Sequence, residues 1–295
     1  MGISLGDLII KTAKQELAEK KKAVPQAQAQ EVKVSPVLAK IYNEWRGKLI
    51  CLFGDYNMGK TTFSAHLSKT AWKLTNKPPL YIALDLNLQD PDLEKELVEL
   101  LGRQNILYIE PHAFLEMVLI RMGKSMFENR SIIVVDSVTE IWSWIIQREA
   151  RYLGWKFQRL ETLNDPRAEE KKIELIRKLA RRPDLKNEYT TYLEIIAVRL
   201  KQITNDCHIP AILIAHPTPI FNSKDKDPDL RNFWDEIGMR PAYMSKALRR
   251  VSKTYLAVLE GTLLKLIEIS TRGLFPKKLG VIRVPAKEYE YNRLA

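Results

Sequence analysis

The chain has 295 residues and a mass of 34.2 kDa, with 45% hydrophobic and 28% charged residues. This balance excludes a collagen-like, low-complexity or wholly disordered chain and indicates a folded globular protein. Lysine and arginine exceed aspartate and glutamate by 47 − 36 = 11, and the pI is about 9.4. Such a charge favours a polyanionic partner, nucleic acid first, although a basic protein without such a partner has the same composition.

Cysteine, histidine and hydropathy narrow the class further. Cys51 and Cys207 are the only cysteines, which excludes a disulfide scaffold and a zinc site built mainly from cysteine. The four histidines are too widely spaced to form a metal motif. The sequence contains no run of about 18 apolar residues, so it predicts no transmembrane helix. Its N-terminus lacks the features of a secretory signal. We therefore expect a cytoplasmic protein with no membrane partner.

Residues 1–35 are predicted to form a helix followed by a flexible linker. Apolar residues recur at helical spacing from Ile3 to Leu17, and the stretch from Lys20 to Ser35 is rich in Lys, Ala, Gln and Val. A tethered helix of this kind packs on its own domain more often than on a neighbouring subunit or a membrane surface. Residues 36–295 are predicted to form a single domain.

From Lys48 onward, short apolar runs alternate with amphipathic stretches, which predicts an α/β fold with a mostly parallel, twisted sheet flanked by helices. The residues from about 138 to 206 show helical spacing and predict a helical insertion between two strands. The last two strands are close together around Gly261 and predict a C-terminal antiparallel β-hairpin at the sheet edge. The predicted strands are Leu49–Phe53, Leu80–Asp85, Ile106–Ile109, Ile132–Asp136, Ala211–Ala215, Thr254–Leu259 and Leu264–Ser270.

A phosphate-binding loop lies between the first strand and an amphipathic helix that is predicted from Thr61 to about Leu74. The segment matches the pattern G-x-x-x-x-G-K-[ST] and consists of Gly54, Asp55, Tyr56, Asn57, Met58, Gly59, Lys60 and Thr61, with Thr62 directly after it. Glycines let the backbone N–H groups surround a phosphate, and the helix N-terminus adds partial positive charge. Lys60 is expected to reach the β- and γ-phosphates, and the Thr61 hydroxyl to bind Mg²⁺. We therefore expect this loop to bind a nucleotide together with Mg²⁺.

Asp136 ends the apolar strand 132–136 and precedes Ser137. A carboxylate at the tip of a buried strand can hold Mg²⁺ opposite the loop threonine, usually through water. The alternative is an ordinary helix-capping aspartate. Because a phosphate-binding loop lies upstream, the metal role is the favoured interpretation.

These two motifs and their order resemble the RecA/RadA/KaiC class of P-loop ATPases, of archaeal recombinase-paralogue type, over roughly Lys48 to Leu274. The resemblance implies a RecA-like core with ATP between adjacent subunits of a ring or filament. It also implies an acidic residue after the second strand that activates the attacking water. Asp85 ends that strand here, and Asn87 stands where the family has a glutamate; since an amide is not a general base, either Asp85 takes this role or hydrolysis is slow.

After the fifth strand, the resemblance implies a polar sensor of the γ-phosphate followed by a mobile loop. His216 has the sensor position, and a structural histidine is the alternative. The loop, residues 219–240, contains Phe221, Phe233 and Trp234, which either stack on bases or, as its acidic residues favour, anchor the loop on the core.

The segment from Met239 to Tyr255, here the basic segment, contains no acidic residue. It is the stretch we expect against a nucleic-acid backbone, with a solvated helix face as the alternative. Its cations are Arg240, Lys246, Arg249, Arg250 and Lys253.

The segment Ser270 to Gly273 is similar to the one that KaiC-like proteins direct at a neighbouring subunit's γ-phosphate. Arg272 is therefore a candidate arginine finger, although Ser270 replaces the usual lysine.

Three functions are compatible with these features. The first is a RecA-like ATPase that acts on single- or double-stranded DNA as a homo-oligomer. The second is a nucleotide-gated regulatory or scaffold protein with weak hydrolysis and a protein partner, which Asn87 and the helical insertion favour. The third is a small-molecule or nucleoside kinase, in which basic residues of the insertion would form a lid over the phosphates. These residues are Arg177, Lys178, Arg181 and Arg182.

Overall fold

A computed structural model describes residues 34–55, 57–84, 91–153, 174, 178–179, 181–219, 239–241, 250–270 and 277–285. The chain divides into two compact units, Met1–Val34 and Ser35–Ala295, and the described residues from Ser35 onward belong to the second. The predicted N-terminal helix and almost all of the predicted linker lie outside the described residues. Within the described part of the chain, no helix has both the length and the apolar character needed to cross a membrane.

The described strands are β1 (Leu49–Phe53), β2 (Leu80–Ala83), β3 (Ile106–Tyr108), β4 (Ile133–Asp136), β5 (Ala211–Ala215), β6 (Pro217–Pro219), β7 (Met239–Pro241), β8 (Lys253–Glu260), β9 (Leu263–Ser270) and β10 (Lys277–Pro285). Eight of them form one mixed sheet in the order β10-β9-β8-β1-β5-β4-β2-β3, and β6 and β7 form a separate antiparallel pair. The strands from β8 to β3 in this order are parallel, whereas β9 and β10 are antiparallel to their neighbours. The structure is therefore an α/β fold with a mostly parallel sheet.

Helices cover both faces of the sheet. The described helices of more than one turn are α1 (Pro36–Trp45), α2 (Lys60–Thr75), α3 (Pro91–Leu101), α4 (Pro111–Glu116), the π-helix Met117–Arg121, α5 (Glu140–Tyr152) and α6 (Pro183–Cys207). The layer formed by α1, α2 and α3 packs on one face, and the layer formed by α4, its π-helical continuation, α5 and α6 packs on the other.

The uninterrupted apolar sequence of β1 follows from this double cover. Every residue of β1 is buried, with Leu49, Cys51 and Phe53 facing the α4–α6 layer and Ile50 and Leu52 facing the α1–α3 layer. Burial raises the pKa of the Cys51 thiol to about 12, so this cysteine is an uncharged core residue.

The structure departs from the sequence prediction at the edges of the sheet. The predicted hairpin exists as β8 and β9. It is not at the edge of the sheet, because β10, which the sequence analysis does not predict, pairs with β9 and forms the edge strand. Strand β2 ends at Ala83, before Asp85. The segment predicted as a loop, 219–240, begins and ends in strands, since β6 pairs with β7. The described part of the predicted helical insertion includes α5 and α6.

Candidate functional site

The candidate residues collect where the parallel strands end, here called the carboxyl edge. The phosphate-binding loop follows β1, His216 follows β5, and Asp136 ends β4, with β5 between β1 and β4 in the sheet. Ligands of open α/β sheets bind in the crevice outside this edge. The topology therefore brings three segments that are distant in the chain to neighbouring strand ends.

The phosphate-binding loop packs against β8. A Cβ atom at Gly54 would lie 2.5 Å from the carbonyl oxygen of Ala257, so a larger residue would collide with the main chain. The Leu259 N–H donates a hydrogen bond of 3.4 Å to Met58 Sδ. Gly59 has a φ of 68°, a left-handed conformation that glycine adopts without strain, and α2 begins at the next residue. These contacts fix the loop between β8 and α2.

The other residues of the predicted loop occupy different environments. Asp55 and Asn57 are exposed, with Asn57 in a left-handed conformation at a φ of 63°. Thr62 is buried in the first turn of α2. The first N–H groups of a helix have no carbonyl partner within the helix and favour an anion. The start of α2 can therefore bind a phosphate group. Tyr56, the remaining residue of the predicted loop, lies outside the described residues.

Lys60 is a buried cation, only 4% exposed. Its ammonium group donates hydrogen bonds of 2.8 Å to the Gly54 carbonyl and 2.6 Å to the Asp55 carbonyl. The side chain thus folds back across the loop, and its charge lies at the place where the loop is expected to bind phosphate.

Thr61 and Asp136, the predicted Mg²⁺ ligands, are in direct contact. The Thr61 hydroxyl donates a hydrogen bond of 2.7 Å to Asp136 Oδ2, and the Tyr81 hydroxyl donates one of 2.6 Å to the same oxygen. Asp136 is only 2% exposed. Tyr81 was not among the predicted site residues, because a tyrosine in an apolar strand has the sequence signal of an ordinary core residue.

The donor atoms at this position suit Mg²⁺, which prefers oxygen ligands and is often held by one or two carboxylates together with substrate phosphates. Among the described residues, no cluster of three or more His, Cys, Asp or Glu side chains can hold a metal ion alone. Thr61 and Asp136 would therefore bind the ion together with a nucleotide's phosphates.

His216 lies at the junction of the main sheet and the β6–β7 pair. Its main-chain N–H donates a hydrogen bond of 2.8 Å to the Thr139 hydroxyl, and the Val138 N–H donates one of 2.9 Å to the Ile214 carbonyl. The turn after Asp136 is thereby attached to the end of β5. The His216 side chain is buried, and its sensor role stays a prediction.

Asp85, Asn87 and Arg272 lie outside the described residues. Leu84, which precedes Asp85, donates its N–H to the Asp136 carbonyl at 2.6 Å. Strand β9 runs antiparallel to β8 and therefore away from the carboxyl edge. Ser270 consequently lies at the opposite edge of the sheet, where the parallel strands begin.

Two cations of the basic segment form ion pairs. Arg250 donates to Glu194 at 2.9 Å through Nη2, and Lys253 donates to Glu268 at 2.9 Å. Both lie near the amino end of β8, because Lys253 is the first residue of this strand and Arg250 precedes it by three residues. Lys253 is opposite Ile50, near the start of β1. These contacts do not bring the two cations to the phosphate-binding loop.

The chain matches no protein-family model and no curated protein. Among solved structures it is similar to one described as the RadB recombinase, with 17% sequence identity and a TM-score of 0.45. The match covers 83% of this chain and 89% of that chain.

Proposed function

We propose that this chain is a RecA-like P-loop ATPase that binds ATP with Mg²⁺, hydrolyses the ATP and acts on DNA as a homo-oligomer. The observation that carries the proposal is the hydrogen bond between Thr61 and Asp136, together with the buried Lys60 ammonium group that folds across the phosphate-binding loop. It combines a buried cation, a hydroxyl and a carboxylate at the N-terminus of α2, which is the set of groups that Mg²⁺ and a triphosphate require.

Each group has a distinct part in this proposal. The Lys60 ammonium group neutralises charge on the β- and γ-phosphates, and the first N–H groups of α2 orient them. Thr61 and Asp136 would hold the metal ion, which when bound would stabilise negative charge on the phosphates. Asp85 activates the attacking water, and His216 senses the γ-phosphate. If Asp85 does not take this role, slow hydrolysis is the alternative, because Asn87 in the place of the family's glutamate is not a general base.

Arg272 acts on the nucleotide of a neighbouring subunit in this proposal. The direction of β9 supports this assignment, because the strand leads away from the chain's own phosphate-binding loop and Ser270 lies at the opposite edge of the sheet. An arginine supplied in trans can stabilise charge in the transition state, and it makes turnover dependent on assembly.

The DNA part of the proposal is supported by the net charge of +11 and by the basic segment. A nucleotide-gated scaffold with a protein partner is the second candidate. It is favoured by the ion pairs Arg250–Glu194 and Lys253–Glu268, which occupy two of the cations that DNA would need.

Steady-state ATP hydrolysis and ATP binding, each measured without DNA and with single- or double-stranded DNA, test the proposal. We expect Lys60→Ala to lower turnover by about 100-fold, because a preorganised charge is lost. The matched control is Lys95→Ala, which removes an exposed lysine from α3 and should leave turnover unchanged.

The outcomes separate the candidates. Stimulation of the wild type by either DNA supports the DNA-dependent ATPase. Nucleotide binding with turnover indifferent to DNA favours the scaffold. Full activity in Lys60→Ala contradicts the assignment of the loop.

A further inference from the structure

Tyr81 contacts the candidate metal site without belonging to any motif in the sequence. Its side chain is fully buried, and its hydroxyl donates to Asp136 Oδ2 at 2.6 Å, the oxygen that also accepts from Thr61. A hydroxyl–carboxylate hydrogen bond of this length is in the range of charge-assisted bonds, which are roughly twice as strong as neutral ones. Asp136 is therefore held both by α2 and by β2.

The sheet register explains how Tyr81 reaches the carboxylate. Tyr81 lies opposite Val134 of β4, and Ala83 lies opposite Asp136. Side chains two residues apart share a face of a strand, and Tyr81 and Val134 both face the α1–α3 layer, to which Thr61 of α2 belongs. The tyrosine ring extends along this face to the end of β4. A phenylalanine would fill the same space but would leave the carboxylate without this donor.

We infer that Tyr81 is a positioning residue of the metal site, which orients the Asp136 carboxylate toward Thr61 and thereby sets the affinity for the Mg²⁺ that accompanies the nucleotide. This inference rests on the proposed function, because it requires Thr61 and Asp136 to hold Mg²⁺. Groups that orient metal ligands through hydrogen bonds typically change metal affinity by about 10- to 100-fold when they are removed. A merely structural tyrosine would change stability but not the metal dependence.

The test is Tyr81→Phe, with binding of a non-hydrolysable ATP analogue measured by calorimetry in Mg²⁺ and in EDTA. We expect the affinity for the analogue in EDTA to stay within about twofold of the wild type, because Lys60 and the N-terminus of α2 are intact. The ratio of the affinity in Mg²⁺ to the affinity in EDTA, here called the Mg²⁺ gain, should fall about tenfold. Tyr42→Phe is the matched control. Tyr42 is also buried, and its hydroxyl donates to the Ser131 carbonyl at 3.2 Å, so its removal should preserve the whole Mg²⁺ gain.

The inference and the proposed function fail in different ways. If Tyr81→Phe keeps the full Mg²⁺ gain, with an affinity that is either unchanged or lowered equally in EDTA and in Mg²⁺, Tyr81 is not a positioning residue and the proposed function stands. If the wild type has no Mg²⁺ gain, or if Asp136→Asn keeps it, the metal site is wrong and the inference falls with it. Circular dichroism and the thermal midpoint of each variant show that the comparison is made between folded proteins.

Discussion

Charged side chains are held in different ways at the carboxyl edge and at the contact between α5 and α6. At the carboxyl edge, Lys60 donates to two main-chain carbonyls, and Asp136 accepts from two hydroxyl groups. Between α5 and α6, Arg148 forms a partly buried two-point ion pair with Glu188 at 2.7 and 2.8 Å. Carbonyl and hydroxyl groups orient a charged side chain without neutralising it, whereas an oppositely charged group both orients and neutralises it.

This difference indicates which charges are suited to a ligand. Holding a buried charge with neutral groups requires many precise hydrogen bonds, because desolvation of the charged group is costly. Hydrogen bonds with neutral groups therefore fix Lys60 and Asp136 where the proposed ligand would bind. Ion pairs near the surface, by contrast, contribute about 0.2–1 kcal/mol and need no ligand.

The largest expected effect concerns the shape of the phosphate-binding loop, on which the arrangement at the carboxyl edge depends. In Gly54→Ala the new Cβ would lie 2.5 Å from the Ala257 carbonyl oxygen, so the loop or β8 must move. We expect the free energy of unfolding to fall by about 2 kcal/mol, as in other overpacked sites, and nucleotide binding to weaken with it. Urea unfolding and calorimetric titration with nucleotide measure the two quantities.

Gly123→Ala is the matched control for this prediction. Gly123 has extended backbone, and a Cβ atom there would meet nothing within 4 Å. Its stability should change by less than about 0.5 kcal/mol. Equal effects of the two substitutions would contradict the view that the close approach to β8 fixes the loop.

The sequence predicted the elements whose pattern is local. Strands β1 and β4 were predicted because a strand covered on both faces is continuously apolar, and the start of α2 because the loop motif precedes it. Strand β10 was missed because Gly280 interrupts its apolar run, and α1 was missed because its Pro36 follows a linker-like composition.

The partners of the site residues were harder to predict than the residues themselves. Tyr81 meets Asp136 only because β2 pairs with β4 in one register, which no local pattern of residues records. Arg250 and Lys253 belong to a segment without acidic residues, yet they pair with Glu194 of α6 and Glu268 of β9. Composition shows which charges a segment has, whereas the fold decides which of them face one another.

A smaller effect is expected for the ion pair between α5 and α6. The hydrogen bond from Arg148 lowers the pKa of Glu188 below its ordinary value of 4.5. A lowered carboxyl pKa stabilises the fold above the unfolded-state pKa, and this contribution is lost as the pH falls through the folded-state pKa. Glu188→Gln should therefore cost about 0.5–1 kcal/mol at pH 7, discounted for solvent exposure, and progressively less below about pH 4.5.

Urea unfolding of Glu188→Gln and the wild type between pH 7 and pH 3.5 measures this difference. Glu44→Gln, which changes an exposed glutamate of α1, is the control and should change the free energy of unfolding by less than about 0.5 kcal/mol. A cost for Glu188→Gln that is constant over the whole pH range would mean that packing, and not charge, stabilises the contact.

The smallest effect on stability is expected for Arg250, which tests whether a cation in a surface ion pair can still serve a ligand. Its side chain is 53% exposed, and its guanidinium group donates to Glu194 at 2.9 and 3.2 Å. Removing such a pair costs less than about 0.5 kcal/mol of stability, so phosphate can replace Glu194 at little expense. If DNA contacts the basic segment, Arg250→Gln should reduce the slope of log affinity against log salt concentration by about 1.

Glu194→Gln sharpens this prediction, because it removes the opposite charge and keeps the arginine. We expect this variant to bind DNA a few-fold more tightly than the wild type at low salt, in fluorescence anisotropy titrations over a series of salt concentrations. An unchanged slope in Arg250→Gln together with unchanged affinity in Glu194→Gln would place the DNA contact elsewhere. In that outcome the ion pairs of Arg148 and Arg250 would serve only the fold, and the ligand would depend on the side chains that hydrogen bonds orient at the carboxyl edge.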